Sequence, residues 1–184
     1  MKNISLAVVA LFAILLAASA YAQTTDFFEL VKTGTPDQIQ AAIKQGADLS
    51  AQDGLGRNAL MFAASANPNP EVVTTLMKAG ADLQAQSKFG ATALMLAAQS
   101  NGPEVITALL KAGADPEAQS KAGMTALMFA AKYTQKPEVI TLLLKAGANA
   151  KVKDHFGKTA FDYAKDNDKL KGTDIYDALE EAAK

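Results

Sequence analysis

The stretch Gly123-Met124-Thr125-Ala126-Leu127-Met128-Phe129-Ala130-Ala131 decides the fold, because versions of it occur four times in the chain. The other versions begin at Gly56, Gly90 and Gly157, and the last is the most altered. The four leading glycines are separated by 34, 33 and 34 residues. A second phrase, lysine followed by any residue and then Gly-Ala, keeps the same period; its copies begin at Lys44, Lys78, Lys111 and Lys145. Two independent phrases with one period indicate a repeat protein.

The repeat that begins at Gly90 shows what each unit is expected to form. Thr92 is placed to cap a short helix over 93–99, which consists of strong helix formers and small alanines. Pro103 suits the first position of a second helix, and Gly113 suits its left-handed C-terminal cap. A polar stretch with a tight turn follows. Each unit is therefore predicted to be a helix, a turn, a second helix and an extended finger, and neighbouring units must stack to bury their apolar faces.

This pattern resembles the ankyrin repeat, whose usual phrases are G-x-T-P-L-H-x-A-A and V-x-x-L-L-x-x-G-A-D. The matching phrases are GATALMLAA with VITALLKAGAD, and GMTALMFAA with VITLLLKAGAN. The resemblance covers roughly residue 26 to the C-terminus, and it implies an all-α solenoid of stacked helix-turn-helix units with short β-hairpin fingers. This chain has Thr-Ala-Leu-Met where the family has Thr-Pro-Leu-His. In the family that histidine ties adjacent repeats by hydrogen bonds, and here methionine is expected to supply adaptable apolar packing instead.

The sequence predicts a division into a signal peptide, residues 1–22, and a repeat domain, residues 23–184. The first unit of the domain lacks the Thr-Ala-Leu-Met phrase, as a terminal capping unit should. The predicted units are an N-terminal cap over about 26–52, repeats over 53–86, 87–119 and 120–153, and a C-terminal repeat and cap over 154–184. In the last unit, Thr173 is expected to cap a final helix over 174–183.

The N-terminus has the three parts of a secretory signal peptide. Lys2 supplies the positive charge, an apolar run of 13 residues covers 6–18, and Ala20-Tyr21-Ala22 fits a small-residue cleavage site. Cleavage after Ala20 is an alternative to cleavage after Ala22. The apolar run is shorter than the ~20 residues that span a bilayer, which favours a cleaved signal over an anchor. We therefore expect a bacterial exported protein located in the periplasm, with secretion as the second choice and no membrane attachment after cleavage.

Composition excludes several classes of function. Of the 184 residues, 49% are hydrophobic and 20% are charged, which suits a folded core. The formal net charge is −1, which does not suggest nucleic acid as a partner. The sequence has no cysteine, so disulfides, thiol catalysis and cysteine metal sites are excluded.

The candidate catalytic and phosphate-binding patterns are incomplete. His155 is the only histidine and is predicted at a finger tip beside Asp154, where little encloses it, whereas a catalytic histidine must be held by a third group. Gly157-Lys158-Thr159 has the ending of a phosphate-binding loop, but Val152 stands where the first glycine is required. We therefore predict no catalytic residue and no cofactor.

The candidate metal-binding patterns are also incomplete. Asp166-Asn167-Asp168 begins like a calcium loop, but Leu170 occupies the next ligand position, so only a weak surface site remains as an alternative. The methionines that recur at one repeat position are expected to form an apolar column in preference to copper ligands: Met61, Met95 and Met128. No metal ligand is predicted.

The resemblance implies that the finger tips and the ends of the inner helices line a concave face that binds partners. The predicted partner-binding residues are Leu55, Arg57, Lys88, Phe89, Lys121, Met124, Lys132, Tyr133, His155, Phe156 and Lys158. Aromatic residues and arginine dominate the centres of interfaces, which supports this prediction. The alternative is that the phenylalanines pack on neighbouring fingers and the lysines only keep the protein soluble.

The function expected from these residues is a non-enzymatic, monomeric module that binds a protein partner. A small-ligand or metal-binding protein, or an enzyme that uses the same face, is the alternative, although the sequence shows no convergent set of ionisable groups. Self-assembly through imperfect caps is a third alternative.

Overall fold

Ten helices form two layers in the computed structural model, which describes residues 26–184. The signal peptide predicted at residues 1–22 lies outside the described residues. The helices are α1 over 26–33, α2 Pro36–Lys44, α3 Ala59–Ala66, α4 Pro70–Lys78, α5 Ala93–Ser100, α6 Pro103–Lys111, α7 Ala126–Tyr133, α8 Glu138–Lys145, α9 Ala160–Ala164 and α10 Asp174–Ala182. The odd-numbered helices from α3 to α9 pack on one another as the inner layer, and the even-numbered helices pack side by side as the outer layer.

The helix ends follow the capping signals of the sequence. Each inner helix from α3 to α9 is preceded by a residue whose side chain accepts a hydrogen bond from the backbone N–H three residues later; these residues are Asn58, Thr92, Thr125 and Thr159. Proline occupies the first position of α2, α4 and α6, where no N–H is needed. The outer helices α2, α4, α6 and α8 all have a lysine in their last turn, where the helix dipole favours a positive charge.

The core is a column of repeated side chains between the two layers. The leucine and the methionine of each repeated phrase are at most 1% exposed; they are Leu60, Met61, Leu94, Met95, Leu127 and Met128. The paired alanines that follow, such as Ala97 and Ala98, are fully buried and allow neighbouring inner helices to approach closely. The methionines therefore pack as part of the apolar core, as the sequence predicts.

The fingers differ from the expected β-hairpins, because residues 26–184 contain no strand. In the first finger, the N–H of Asp53 donates to the carbonyl of Arg57 over 2.9 Å. A single further bond joins it to the next finger, from the N–H of Lys88 to the carbonyl of Leu55 over 2.8 Å. The second, third and fourth fingers are joined in the same way. One bond between neighbours is too short a ladder to make a sheet.

The glycine of each finger is favoured by its positive φ, and in the first three fingers it is also required by the finger that follows. Gly90 has a φ of 74°, which favours glycine, and a Cβ there would lie 2.6 Å from the backbone nitrogen of Lys121. Gly157, in the last finger, has a similar φ but open space around it. The glycines of the earlier fingers thus permit the close stacking of successive fingers.

Three buried asparagines, in the second, third and fifth units, each tie their unit to the one before it. The side-chain amide of Asn101 donates to the carbonyls of Ala64 and Asn67, over 3.0 and 2.8 Å. Asn67 donates in the same way to the carbonyls of Val31 and Gly34 at the end of α1, and Asn167 donates to those of Ala131 and Thr134 at the end of α7. Thr134 occupies the corresponding position in the fourth unit and bonds only to the backbone of Lys136. These amides supply ties between repeats, and the resemblance does not predict them.

The two ends of the stack are closed by apolar contacts. At the N-terminal end, the ring of Phe28 stacks on Phe62 with 4.9 Å between the ring centroids. At the C-terminal end, Thr173 caps α10, as predicted, and Leu179 of that helix is fully buried. Within residues 26–184, no helix is both long enough and apolar enough to cross a membrane.

Candidate functional site

The candidate site is a face made by the four fingers and the exposed side of the inner helices, which we call the finger face. The fingers cover 53–57, 87–91, 120–124 and 154–158. A row of large side chains, one from α1 and one from each inner helix, forms its floor: Phe28, Phe62, Leu96, Phe129 and Tyr163. Phe28, Phe62 and Tyr163 are buried, whereas Leu96 and Phe129 are partly exposed.

Each finger is held by a short polar side chain at its first position. Asp53 Oδ1 accepts from the N–H groups of Leu55 and Arg57, over 2.9 and 2.8 Å. Ser87, Ser120 and Asp154 accept from the corresponding N–H groups of the other three fingers. A single acceptor thus fixes the tip of each finger, so the tips are presented by a preformed turn. The recurrence of a short polar residue three positions before each glycine is the sequence signal of this arrangement, which the repeat period alone does not predict.

At the N-terminal end of the finger face, two cations cover the ring of Phe62, and both have carboxylate partners. The guanidinium of Arg57 lies 4.4 Å from the ring centroid, and its Nη2 is 2.7 Å from Asp53 Oδ2. Lys32 Nζ lies 4.9 Å from the same centroid and 2.6 Å from Glu29 Oε1. Burial disfavours ionisation of Asp53, but the hydrogen bonds from Arg57 outweigh it, and the pKa of Asp53 lies below its ordinary value.

At the C-terminal end, two lysines cover the ring of Tyr163. Lys132 Nζ lies 5.2 Å from the ring centroid of Tyr163 and 4.9 Å from that of Tyr133, and Lys158 Nζ lies 5.3 Å from Tyr163. The phenol of Tyr163 donates to Asp154 Oδ2 beneath them. Among the described residues, no carboxylate lies within ion-pairing distance of either lysine.

The bond between Tyr163 and Asp154 changes the pKa values of both groups. Burial and the hydrogen bond to the carboxylate raise the pKa of Tyr163 to about 12. Burial disfavours ionisation of Asp154, but the bonds from Tyr163 and from the N–H groups of Lys158 and Phe156 outweigh it, so the pKa of Asp154 is lowered. Asp154 therefore stays ionised, 5% exposed, with its oxygens occupied by internal donors.

Most of the predicted partner-binding residues are exposed to solvent on the finger face. The large hydrophobic side chains that are exposed in residues 26–184 are Leu55 at 43%, Phe89 at 65%, Tyr133 at 41% and Phe156 at 76%. The predicted lysines are exposed as well; they are Lys88, Lys121, Lys132 and Lys158. Arg57 is half-buried because it lies on Phe62 and pairs with Asp53.

The structure brings only some of the predicted residues together. Lys132 lies against Tyr133, and Lys158 shares the ring of Tyr163 with Lys132. Phe89 and Phe156, in contrast, lie on the second and fourth fingers, with the third finger between them.

Met124 is a correction to the predicted set, because its side chain is buried. It holds the finger position that Arg57 and Lys158 hold elsewhere, and there the long cationic side chains reach back over aromatic rings. Met124 has no charge to keep in water, so it joins the apolar core. Ala91, at the same position of the second finger, is buried too.

His155 is exposed, and its surroundings do not resemble a catalytic site. Its backbone N–H donates to the carbonyl of Ala122 over 3.0 Å, and its ring lies directly over Gly123. The neighbouring Asp154 carboxylate is occupied by Tyr163 and by backbone N–H groups, so it does not orient the imidazole.

The Asp166–Asp168 segment is also organised differently from a calcium loop. Asn167 is buried, and its amide donates to Ala131 and Thr134 of the preceding unit. Asp168 pairs with Lys171 over 2.7 Å. No group of three or more histidine or acidic residues within 26–184 is arranged to hold a metal ion.

The floor of the finger face was not recognised from the sequence. Phe62, Leu96, Phe129 and Tyr163 all occupy the position after the methionine, or its equivalent, in the repeated phrase. The residue at this position changes from repeat to repeat whereas the alanine after it does not, and this variation is the sequence signal of the floor. Phe62 lies beneath the guanidinium of Arg57, and Tyr163 lies beneath the ammonium groups of Lys132 and Lys158.

Comparison with known families gives two matches. The family model for ankyrin repeats in three copies matches residues 27–120. The family model for ankyrin repeats in many copies matches residues 109–164. A search of curated proteins gave no match.

Proposed function

The chain belongs to the ankyrin-repeat family, and we propose that it is a non-enzymatic module that binds a partner protein on its finger face. Ankyrin repeats are generally protein–protein interaction modules, and the family is typically non-enzymatic. The observation that supports this face is the position of the exposed large hydrophobics. Leu55, Phe89 and Phe156 lie at finger tips, and Tyr133 ends the inner helix α7.

The position of these side chains favours binding over packing within the chain. A phenylalanine that packed on its neighbouring finger would be largely buried, but Phe89 is 65% and Phe156 is 76% exposed. Burial of apolar surface is favourable by about 25 cal/mol per Å², so a partner that covers these rings gains binding free energy from them. The turns beneath them are preformed by internal hydrogen bonds, which lowers the entropy lost on binding.

The test is to truncate two of the exposed rings and measure binding to any protein that co-purifies with the chain. Buried aromatic anchors contribute about 2 kcal/mol or more each at an interface, so Phe89→Ala with Phe156→Ala should weaken binding at least about thirtyfold. The melting temperature should stay unchanged, because both rings are exposed. The matched control is Lys78→Ala with Lys145→Ala on the outer helices. If the double phenylalanine variant binds as tightly as the parent, the finger face is not the site.

We further propose that the protein acts in the periplasm after export. The support is the arrangement of Lys2, the apolar run over 6–18 and the small residues that end at Ala22. Mass analysis of the protein recovered from the periplasm should give an N-terminus at Gln23, or at Tyr21 for the alternative cleavage. Uncleaved chain in the membrane fraction would contradict the proposal.

A further inference from the structure

We propose that the segment bound on the finger face is an acidic polypeptide stretch whose carboxylates lie on Lys132 and Lys158 and whose apolar side chain lies against Tyr133 and Phe129. This inference rests on the function proposed above and specifies the chemistry of the partner.

The first argument is that the cations at one end of the face are paired with carboxylates and those at the other end are not. Arg57 and Lys32 at the N-terminal end are neutralised by Asp53 and Glu29, over 2.7 and 2.6 Å. Lys132 and Lys158 at the C-terminal end have no such partner among the described residues. An acidic ligand therefore gains more binding free energy at the C-terminal end, where the lysines are not already paired with carboxylates.

The second argument is that the nearest carboxylate is occupied. Asp154 accepts hydrogen bonds from Tyr163 and from the N–H groups of Phe156 and Lys158. It is 5% exposed, and although the charge of Lys158 contributes to its lowered pKa, it forms no ion pair with either lysine. A carboxylate of a bound partner can therefore supply the ion pair that both ammonium groups lack within the described residues.

The third argument is the shape of the apolar surface beside the lysines. The rings of Phe129 and Tyr133 lie 6.2 Å apart, and Tyr133 is 41% exposed. Lys132 is adjacent to Tyr133 on the same helix, with its ammonium 4.9 Å from the tyrosine ring. A carboxylate and an apolar side chain that are close together on one peptide can therefore engage both groups, as happens in an acidic segment with interspersed hydrophobic residues.

The surroundings favour a polypeptide over a nucleic acid. The formal net charge of the chain is −1, and Arg57 and Lys32 at the N-terminal end are already paired with carboxylates, so the face does not offer the strong positive charge that a nucleic-acid backbone requires. Beside Lys132, the partly exposed ring of Phe129 and the exposed ring of Tyr133 suit aliphatic or aromatic side chains.

The experiment selects ligands from random sequences, so the partner need not be identified first. The full chain, immobilised through its C-terminus, is used to select from a random library of twelve-residue peptides displayed on phage, in parallel with the Lys132→Gln/Lys158→Gln variant. Peptides selected by the parent should be enriched in aspartate or glutamate next to an aromatic or aliphatic residue, and those selected by the variant should lose the acidic enrichment. The best synthetic peptide should bind the variant about tenfold more weakly and with a shallower salt dependence.

Two further variants serve as a charge control and as a separate test of the proposed function. Lys78→Gln/Lys145→Gln makes the same change of charge on the outer helices and should alter the affinity less than about twofold. Peptides that require Phe89 and Phe156 but carry no acidic residues, or that bind the Lys132→Gln/Lys158→Gln variant equally well, overturn this inference alone. Failure to select any peptide, or selected peptides that bind Phe89→Ala/Phe156→Ala as tightly as the parent, overturns the proposed function as well.

Discussion

The side-chain amide of Asn101 lies 2.8 Å from the backbone carbonyl oxygen of Asn67, one repeat earlier in the chain. The same amide reaches the carbonyl of Ala64 over 3.0 Å, and its own oxygen accepts from the N–H of Gly102. Asn101 is 5% exposed, so water is not available to replace these bonds. One side chain therefore satisfies two buried carbonyls at the end of α3 and links neighbouring units directly.

Replacing Asn101 by alanine should therefore destabilise the stack. The change removes two donors from buried carbonyls, and we expect a loss of about 2–3 kcal/mol in the free energy of unfolding. Urea denaturation followed by circular dichroism measures this loss. Gln99→Ala, at an exposed position of the preceding helix α5, serves as the control and should cost less than about 0.5 kcal/mol. Equal, small effects at the two positions would show that the amide ties contribute little.

Replacing Thr134 by asparagine should stabilise the protein. Thr134 is 2% exposed and holds the position of the tying asparagines, but its hydroxyl bonds only to the backbone of Lys136. An asparagine oxygen can keep the bond from the N–H two residues on, as Asn67 and Asn167 do. Its amide can then reach back to the preceding unit, residues 87–119. The added hydrogen bonds should raise the free energy of unfolding by about 1 kcal/mol. A drop in the urea midpoint would show that the junction has no room for the amide.

Two leucines, one on a buried inner helix and one at an exposed finger tip, test whether residues are correctly assigned to helices and fingers. Leu94 is 1% exposed on the inner helix α5, so Leu94→Ala should cost about 2–5 kcal/mol through lost burial and a residual cavity. Leu55 is 43% exposed at a finger tip, and Leu55→Ala should cost no more than about 0.5 kcal/mol. Both values come from denaturant unfolding of otherwise identical proteins. Similar losses at the two sites would contradict the placement of these residues.

The helices and their ends could be predicted because their causes are local. Thr92 caps α5 through the N–H of Met95, three residues away, and Pro103 begins α6 because a first-turn residue needs no N–H. Because the pattern recurs every 33 or 34 residues, the same two helices are predicted in each unit. The asparagine ties join residues 33 to 37 positions apart, so no local pattern shows them.

The finger face was harder to predict than the helices because alignment gives the position of a residue but not the direction of its side chain. Met124 aligns with Arg57 and Lys158, yet it is buried while the two cations reach across aromatic rings. In the same way, the sequence shows two basic ends but not that the cations of the N-terminal end, Arg57 and Lys32, have carboxylate partners whereas Lys132 and Lys158 have none among the described residues. Charge pairing and burial depend on the side chains that surround a position, which belong to other repeats.

The C-terminal repeat should lose stability in acid through Asp162. This carboxylate accepts from Lys165 and from the backbone and hydroxyl of Thr159, which lowers its pKa from 3.8 to about 2. The folded state thus favours the ionised form, and its contribution is complete above about pH 4 and is lost as the pH falls towards 2. Asp162→Asn should therefore be less stable than the parent at pH 7, by about 0.5–1 kcal/mol because solvent screens this partly exposed pair. The difference should shrink towards pH 2, where Asp162 of the folded parent is about half protonated and has lost most of this contribution. Urea unfolding of both proteins at pH 7, 4 and 2 measures it, with Glu180→Gln as the control, and a difference that stays constant with pH would contradict this role of Asp162.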